Sequence, residues 1–310
     1  MLSEKPWKAE AVLRLLLGVF LCIYAGSLLA LALYHRPFGP GAALRFYGLV
    51  LAAIGFIGVT LFLLRHEWKL EDVLRRLVLA LAAFYAAFLL GLWAQKVGGP
   101  DSVSPSVAQM VISALSFQGA ALLLVQRFLW EHHIQWRAAF GLQNNWRQAV
   151  LLGLIAACLF LPFGWGLQLG IATGLEWAAN RLPGLHLKPE EQQAVHTLQM
   201  AVTMGSRVAL GLITIVLAPV AEETLFRGIL YPWIKRAGFP RLALWGTALL
   251  FAAVHMNLVS FVPLSLLALV LTLLYERTGN LLAPITGHAL FNGMNFFILY
   301  MFQEQWSKMR

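Results

Sequence analysis

Three short polar motifs stand in otherwise apolar sequence toward the C-terminal end of the chain. They are Glu222-Glu223-Thr224-Leu225-Phe226-Arg227, Phe251-Ala252-Ala253-Val254-His255 and His288-Ala289-Leu290-Phe291-Asn292. Carboxylates, imidazoles and a carboxamide are groups that activate water, carry protons and stabilise an oxyanion. An ionisable side chain in hydrocarbon costs about 2.5 to 3.5 kcal/mol on insertion scales, so it persists where it faces a polar cavity and has partners. The set therefore points to a hydrated catalytic pocket inside a membrane.

Helical spacing assigns first roles. Glu223 and Arg227 are i, i+4 neighbours with the acid N-terminal, the favourable order for pairing. Glu222 lies about 100° around the helix from Glu223. With Arg227 neutralising Glu223, Glu222 is left to face the pocket as a general base for water. Pro219 lies three residues upstream of Glu222. Proline is tolerated near a helix start, so the carboxylates are expected near an N-terminal turn, where the macrodipole favours negative charge. His288 and Asn292 are again i, i+4 and share one face; Asn292 is the candidate donor to a developing oxyanion. His255, at the end of a different helix, is placed to share the activated water with Glu222.

A metal reading competes. Glu222, His255 and His288 make one carboxylate and two imidazoles, the ligand set of many catalytic zinc sites with a fourth position open to water. The spacing is not His-Glu-x-x-His, so the local zinc-protease signature is missing. Between a metal-bound water and one activated by side chains alone, the sequence leaves both open.

The elements that must position these residues are membrane helices. The 310-residue chain is 60% hydrophobic and 12% charged, with a mean hydropathy of +0.72. A soluble domain typically carries about 25% charged residues. Apolar stretches of about 20 residues, enough to cross a bilayer as a helix, recur along the chain. They are expected at 11–34, 46–64, 77–95, 107–125, 149–171, 202–220, 242–255, 258–275 and 282–302, giving an all-α, polytopic transmembrane helical bundle of eight or nine spans. The first stretch follows Lys5 and Lys8 and contains Arg14, but its length and the spans after it mark a retained anchor rather than a cleaved signal.

Basic residues gather in alternate connections: Arg65, Lys69, Arg75 and Arg76, then Arg127, Arg137 and Arg147, then Lys235, Arg236 and Arg241. The positive-inside rule then puts the N-terminus in the cytoplasm. The net charge of +9 is read as this bias and as attraction to anionic lipid. No RNA- or DNA-binding motif is evident, and no nucleic-acid partner is expected. Cys22 and Cys158 lie in apolar spans without zinc spacing and read as packing residues. His132 and His133 fall in a solvated or interfacial loop. The polar stretch 173–199, with Pro183, Pro189, Glu190 and Glu191, separates an N-terminal accessory bundle, 1–172, from a catalytic core, 200–310.

The ordered set of motifs resembles the CPBP family of intramembrane proteases, which includes CAAX-prenyl endopeptidases and bacteriocin-processing or immunity proteins. That family shows Glu-Glu-x-x-x-Arg, Phe-x-x-x-His and His-x-x-x-Asn or Asp in this order. The run Glu276-Arg277-Thr278-Gly279-Asn280-Leu281-Leu282-Ala283-Pro284 is similar to its usual lead-in to the third motif, and the match covers about 198–302. The resemblance implies a helical core in which Glu222, His255, His288 and Asn292 line a cavity open to membrane and cytoplasm. Glu222 would activate water with His255, His288 and Asn292 would stabilise the oxyanion, and Glu223 and Arg227 would support the site. The expected activity is endopeptidase cleavage near the membrane surface of a prenylated CAAX-type or other membrane peptide, with zinc or another divalent metal at Glu222, His255 and His288, or with no cofactor. Membrane lipid and the peptide or prenylated-protein substrate are the expected partners. The short loops suggest the inner membrane of a prokaryote. Two alternatives belong to other classes: a non-catalytic membrane partner or immunity protein, which would tolerate Glu222→Gln, and a proton-coupled transporter, which predicts inverted repeats that the sequence does not show.

Overall fold

In the computed structural model, residues 5–34, 42–65, 107–181 and 203–308 are described. Helices dominate these residues, and no strand occurs among them. Helix α1 is Ala9–Tyr34 and α2 is Ala42–Arg65. Helix α3, residues 107–131, joins Val107–Ala114 and Ala120–Glu131 through a π turn at Leu115–Gly119. A single turn, α4 at Trp136–Ala139, precedes α5 at Trp146–Arg181. Helix α6 runs over Met204–Arg236, α7 over Pro240–Ala253, α8 over Leu258–Thr278 and α9 over Leu282–Lys308. Among the described residues, α1, α3, α5, α6 and α8 contain stretches long and apolar enough to cross a membrane, and two shorter apolar helices lie at Phe46–Phe62 and Pro240–Ala253. The expected span at 77–95 lies outside the described residues.

The chain divides into two compact units, one of residues 7–133 and one of residues 1–6 with 134–310. In the first, α1 packs along α2 and α3. Arg14 Nη2 and Arg127 Nε reach the carboxylate of Glu131 at 2.6 and 3.2 Å, and Arg127 also donates to the Leu64 carbonyl at 2.6 Å. The second unit carries all three polar motifs. The boundary expected at residue 172 falls inside the continuous helix α5, and residues 182–199 of the polar connection lie outside the described residues.

Local chemistry explains the joints of the motif-bearing unit. Asn257 caps α8 by accepting from the Ser260 N–H at 2.9 Å, and Gly279, at φ 61°, ends it in the left-handed conformation that glycine adopts without penalty. Asn280 then accepts from the Leu282 N–H at 2.9 Å and donates to the Asn144 carbonyl at 2.7 Å. The Leu281 N–H is taken by the Phe140 carbonyl at 3.0 Å, so the turn before α9 is pinned on the loop before α5. A Cβ on Gly141, itself at φ 66°, would collide with the Gly279 carbonyl, which is why the two loops approach only through glycine. Helices α5 and α9 then pack closely, with Gly153 of α5 against the backbone of Ala283 and Gly287.

The expected helix start near Pro219 is not what forms. Leu217, Ala218 and the residues on either side keep right-handed helical geometry, and Pro219 is buried within one long helix. A proline ring clashes with the carbonyl four residues back and removes one hydrogen bond. That carbonyl belongs to Ile215, inside a π turn at Ile213–Leu217. The wider turn accommodates the ring, so the chain continues instead of restarting. The carboxylates therefore lie in mid-helix, away from any N-terminal dipole.

Candidate active site

Helix α6 places its two glutamates between two π turns, Ile213–Leu217 and Thr224–Leu230. Such turns shift the helical register by a fraction of a turn and recur at functional sites. Glu223 and Arg227 are completely enclosed, at 0% and 1% exposure, and Arg227 Nη1 donates to Glu223 Oε1 at 2.7 Å. The pair expected from i, i+4 spacing thus forms. Arg227 spends its other donors on α8: Nη2 on the Ala268 carbonyl at 3.1 Å and Nε on Thr272 Oγ1 at 3.4 Å. Its guanidinium also lies over the Phe251 ring, 4.6 Å from the centroid. An ion pair removed from water needs such further partners; here the arginine is matched on three sides, whereas Glu223 Oε2 makes no hydrogen bond within the protein.

Glu223 does more than neutralise arginine. The same Oε1 lies 2.8 Å from His288 Nδ1, tying α6 to α9. An ionised carboxylate only accepts, so Nδ1 carries the proton in this contact. The Nε2 edge of His288 is thereby turned to Glu222, whose Oε2 is 3.9 Å away. Glu222 is buried, and Oε2 makes no hydrogen bond within the protein. A separation of this size between two polar atoms suits one bridging water. The geometry thus makes neighbours of Glu222, Glu223, Arg227 and His288.

Asn292 sits one turn beyond His288 on α9 and donates through Nδ2 to the Thr214 carbonyl, inside the first π turn, at 2.9 Å. One amide N–H is used to orient the side chain; a carboxamide has a second. His255 lies at the end of α7, half-buried, with Nδ1 2.7 Å from its own helix's Phe251 carbonyl. Its Nε2 edge is left facing outward from that bond. His255 joins the others through Phe251, whose ring meets His255, His288 and Phe226 at centroid distances of 5.0, 5.6 and 5.3 Å. Phe251 is fully buried and touches residues of both other motifs. Thr272, Ala268 and Thr214 were not legible as site residues: two of them contribute carbonyls, which any residue type can supply, and Thr272 reads as one more residue of an apolar helix.

A catalytic zinc ion takes three converging protein donors. Among the described residues no group of three His, Cys, Asp or Glu side chains is disposed to hold one. Glu222 and His288 converge, whereas the His255 ring is set apart behind Phe251. As arranged, the three do not form a metal cradle.

With this geometry in view, residues 204–294 match the family of type II CAAX prenyl endopeptidases described as Rce1-like. That range holds every residue of the three motifs. The chain is also 37% identical over 78 residues to the uncharacterised protein YpbD of Bacillus subtilis (strain 168), an alignment covering 24% of this chain and 37% of that relative. The chain thus spans little more than a third of the curated relative it matches. No solved structure matches. The segment that assembles Glu222, Glu223, Arg227, His255, His288 and Asn292 is thus the part of the chain that is similar to the Rce1-like, CAAX-protease family.

Proposed function

We propose that the protein is an intramembrane endopeptidase that hydrolyses a peptide bond of a membrane-associated substrate, with Glu222 as the base for water. The observation that carries this reading is the 3.9 Å separation of Glu222 Oε2 and His288 Nε2, with His288 locked by the buried Glu223–Arg227 pair. A water held between the two loses a proton to Glu222 as its oxygen bonds to the scissile carbonyl carbon. The carbonyl oxygen becomes the oxyanion, for which the second N–H of Asn292 is the donor, while His288, its Nδ1 proton held by Glu223, orients the water as an acceptor at Nε2. When the C–N bond breaks, Glu222 returns its proton to the leaving amine, and the two product termini balance the added water. His255, whose ring packs on Phe251 beside His288, is assigned as the partner of Glu222, a role that requires its Nε2 edge to turn toward the water. Glu223 and Arg227 hold His288 in the orientation that this chemistry needs.

The match of residues 204–294 to type II CAAX prenyl endopeptidases favours a prenylated CAAX-type peptide as substrate. No step of this mechanism passes through a metal. The test is cleavage of a farnesylated CAAX peptide by purified full-length protein. Cleavage should disappear in Glu222→Gln and survive chelation. Cleavage abolished by chelator and restored by zinc would replace the side-chain mechanism with a metal one. Full activity of Glu222→Gln would remove Glu222 from the chemistry.

A further inference from the structure

Phe140, in the turn between α4 and α5, touches both helices that carry the candidate site. It is completely buried, with its ring centroid 5.2 Å from that of Trp136. The ring also lies on Gly228 of α6, where a Cβ would stand 2.6 Å from Cε1 and 2.9 Å from Cδ1. Glycine is a poor helix former, and this close approach explains its place inside a helix. Gly228 follows Arg227 directly and belongs to the π turn Thr224–Leu230. The backbone of Phe140 holds the other helix, its carbonyl accepting from the Leu281 N–H at 3.0 Å. Leu281 stands at the start of α9, about two helical turns before His288 and on nearly the same face. The turn itself is anchored. Buried Lys5 donates through Nζ to the Ala139 carbonyl at 2.6 Å, and Arg236 at the end of α6 donates to the Lys5 carbonyl.

The register between α6 and α9 decides the geometry of the site. Glu223 reaches His288 Nδ1 at 2.8 Å while Glu222 Oε2 stands 3.9 Å from Nε2, with the carboxylates on one helix and the imidazole on the other. The two helices meet directly along Ile213–Glu223. Beyond that stretch Phe140 spans them, its ring on α6 one residue past Arg227 and its carbonyl on the start of α9. A buried aromatic ring has two torsions, both fixed by close packing, and so acts as a rigid spacer. We propose that Phe140 is a positioning residue for the hydrolysis: its ring fixes the π turn that presents Arg227 to Glu223, and its carbonyl fixes the entry of α9, so that His288 meets both glutamates at once. Phe140 belongs to none of the three motifs and lies outside the segment 204–294 that matches the type II CAAX prenyl endopeptidases. Its effect on rate rests on the hydrolytic reading; its effect on His288 does not.

The detergent-purified full-length protein, carrying isotope-labelled histidine, offers two readouts. One is kcat and KM for the farnesylated CAAX peptide; the other is the NMR signal of the His288 ring nitrogens, identified by its loss in His288→Gln. Gly228→Ala drives a methyl into the Phe140 ring. It should lower kcat by about tenfold to a hundredfold with KM within about twofold, the scale for a reacting group displaced by up to an ångström. It should also move the His288 Nδ1 signal from its wild-type position. Adding Phe140→Leu, which removes Cε1, should return both readouts most of the way to wild type. Phe140→Leu alone keeps a buried apolar side chain and should lower kcat about threefold to tenfold, so the test stands even where Gly228→Ala fails to fold. A ring that only fills space predicts a lower unfolding midpoint with kcat and the His288 signal unchanged, and that result in either single variant would overturn the proposal. So would a double variant no better than Gly228→Ala. A wild type that cleaves nothing, with a His288 signal that shifts in Gly228→Ala and returns in the double variant, would leave Phe140 its hold on His288 and remove the hydrolytic reading instead.

Discussion

Two arginine–glutamate pairs, each spaced i, i+4, occupy the two units and behave in opposite ways. In the unit of residues 7–133, Arg127 and Glu131 are 44% and 28% exposed, and their 3.2 Å contact is shared with Arg14. In the motif-bearing unit, Glu223 and Arg227 are shut away from solvent, and each serves a second helix. An exposed pair gains little over hydration, about 1 kcal/mol or less. A buried one is costly to assemble and costlier to break, so its presence asks what it is for. The answer offered by the geometry is that it sets a histidine. Surface charge in this chain is adjustable; the enclosed charge is committed.

The comparison can be broken at several points. Arg227→Met leaves Glu223 as a buried charge with one partner and should cost about 3 to 5 kcal/mol, read as a lowered unfolding midpoint in detergent. Asn292→Ala should lower the cleavage rate by about 10² to 10³, because one N–H is proposed to meet the oxyanion, and should cost only about 1 kcal/mol of stability through the lost bond to the Thr214 carbonyl. Gly153→Val drives a side chain into the backbone of α9 beside Ala283 and should cost about 1 to 3 kcal/mol. The exposed-pair counterpart, Arg127→Met, should shift stability by about 1 kcal/mol at most in the same unfolding assay. If Arg127→Met proves as damaging as Arg227→Met, burial is not what distinguishes the pairs.

Local arrangements were legible in the sequence, and long-range ones were not. The Glu223–Arg227 pair and the shared face of His288 and Asn292 follow from 3.6 residues per turn, and both appear. The run 276–284 also carries its own geometry: Gly279 closes α8 and Asn280 opens α9. The contact of Glu223 with His288 spans 65 residues of chain, and no periodicity announces it. Pro219 misled for a physical reason, since a π turn can absorb the ring that would end an α-helix, and nothing in Ile213–Leu217 marks that turn. Phe251 was visible within its motif, but its place among Arg227, His255 and His288 depends on how α6, α7 and α9 pack.

Glu222 and Glu223, adjacent in sequence, are assigned different work. The most direct test measures both the unfolding midpoint and the rate of peptide cleavage for Glu222→Gln and Glu223→Gln, side by side with wild type. Glu222→Gln should retain the wild-type midpoint and lose cleavage by about 10² to 10⁴, the usual span for a lost general base. Glu223→Gln should lower the midpoint, because Arg227 is left buried without its counter-charge. A Glu222→Gln protein that cleaves at the wild-type rate, or one that unfolds as readily as Glu223→Gln, would contradict the division of labour.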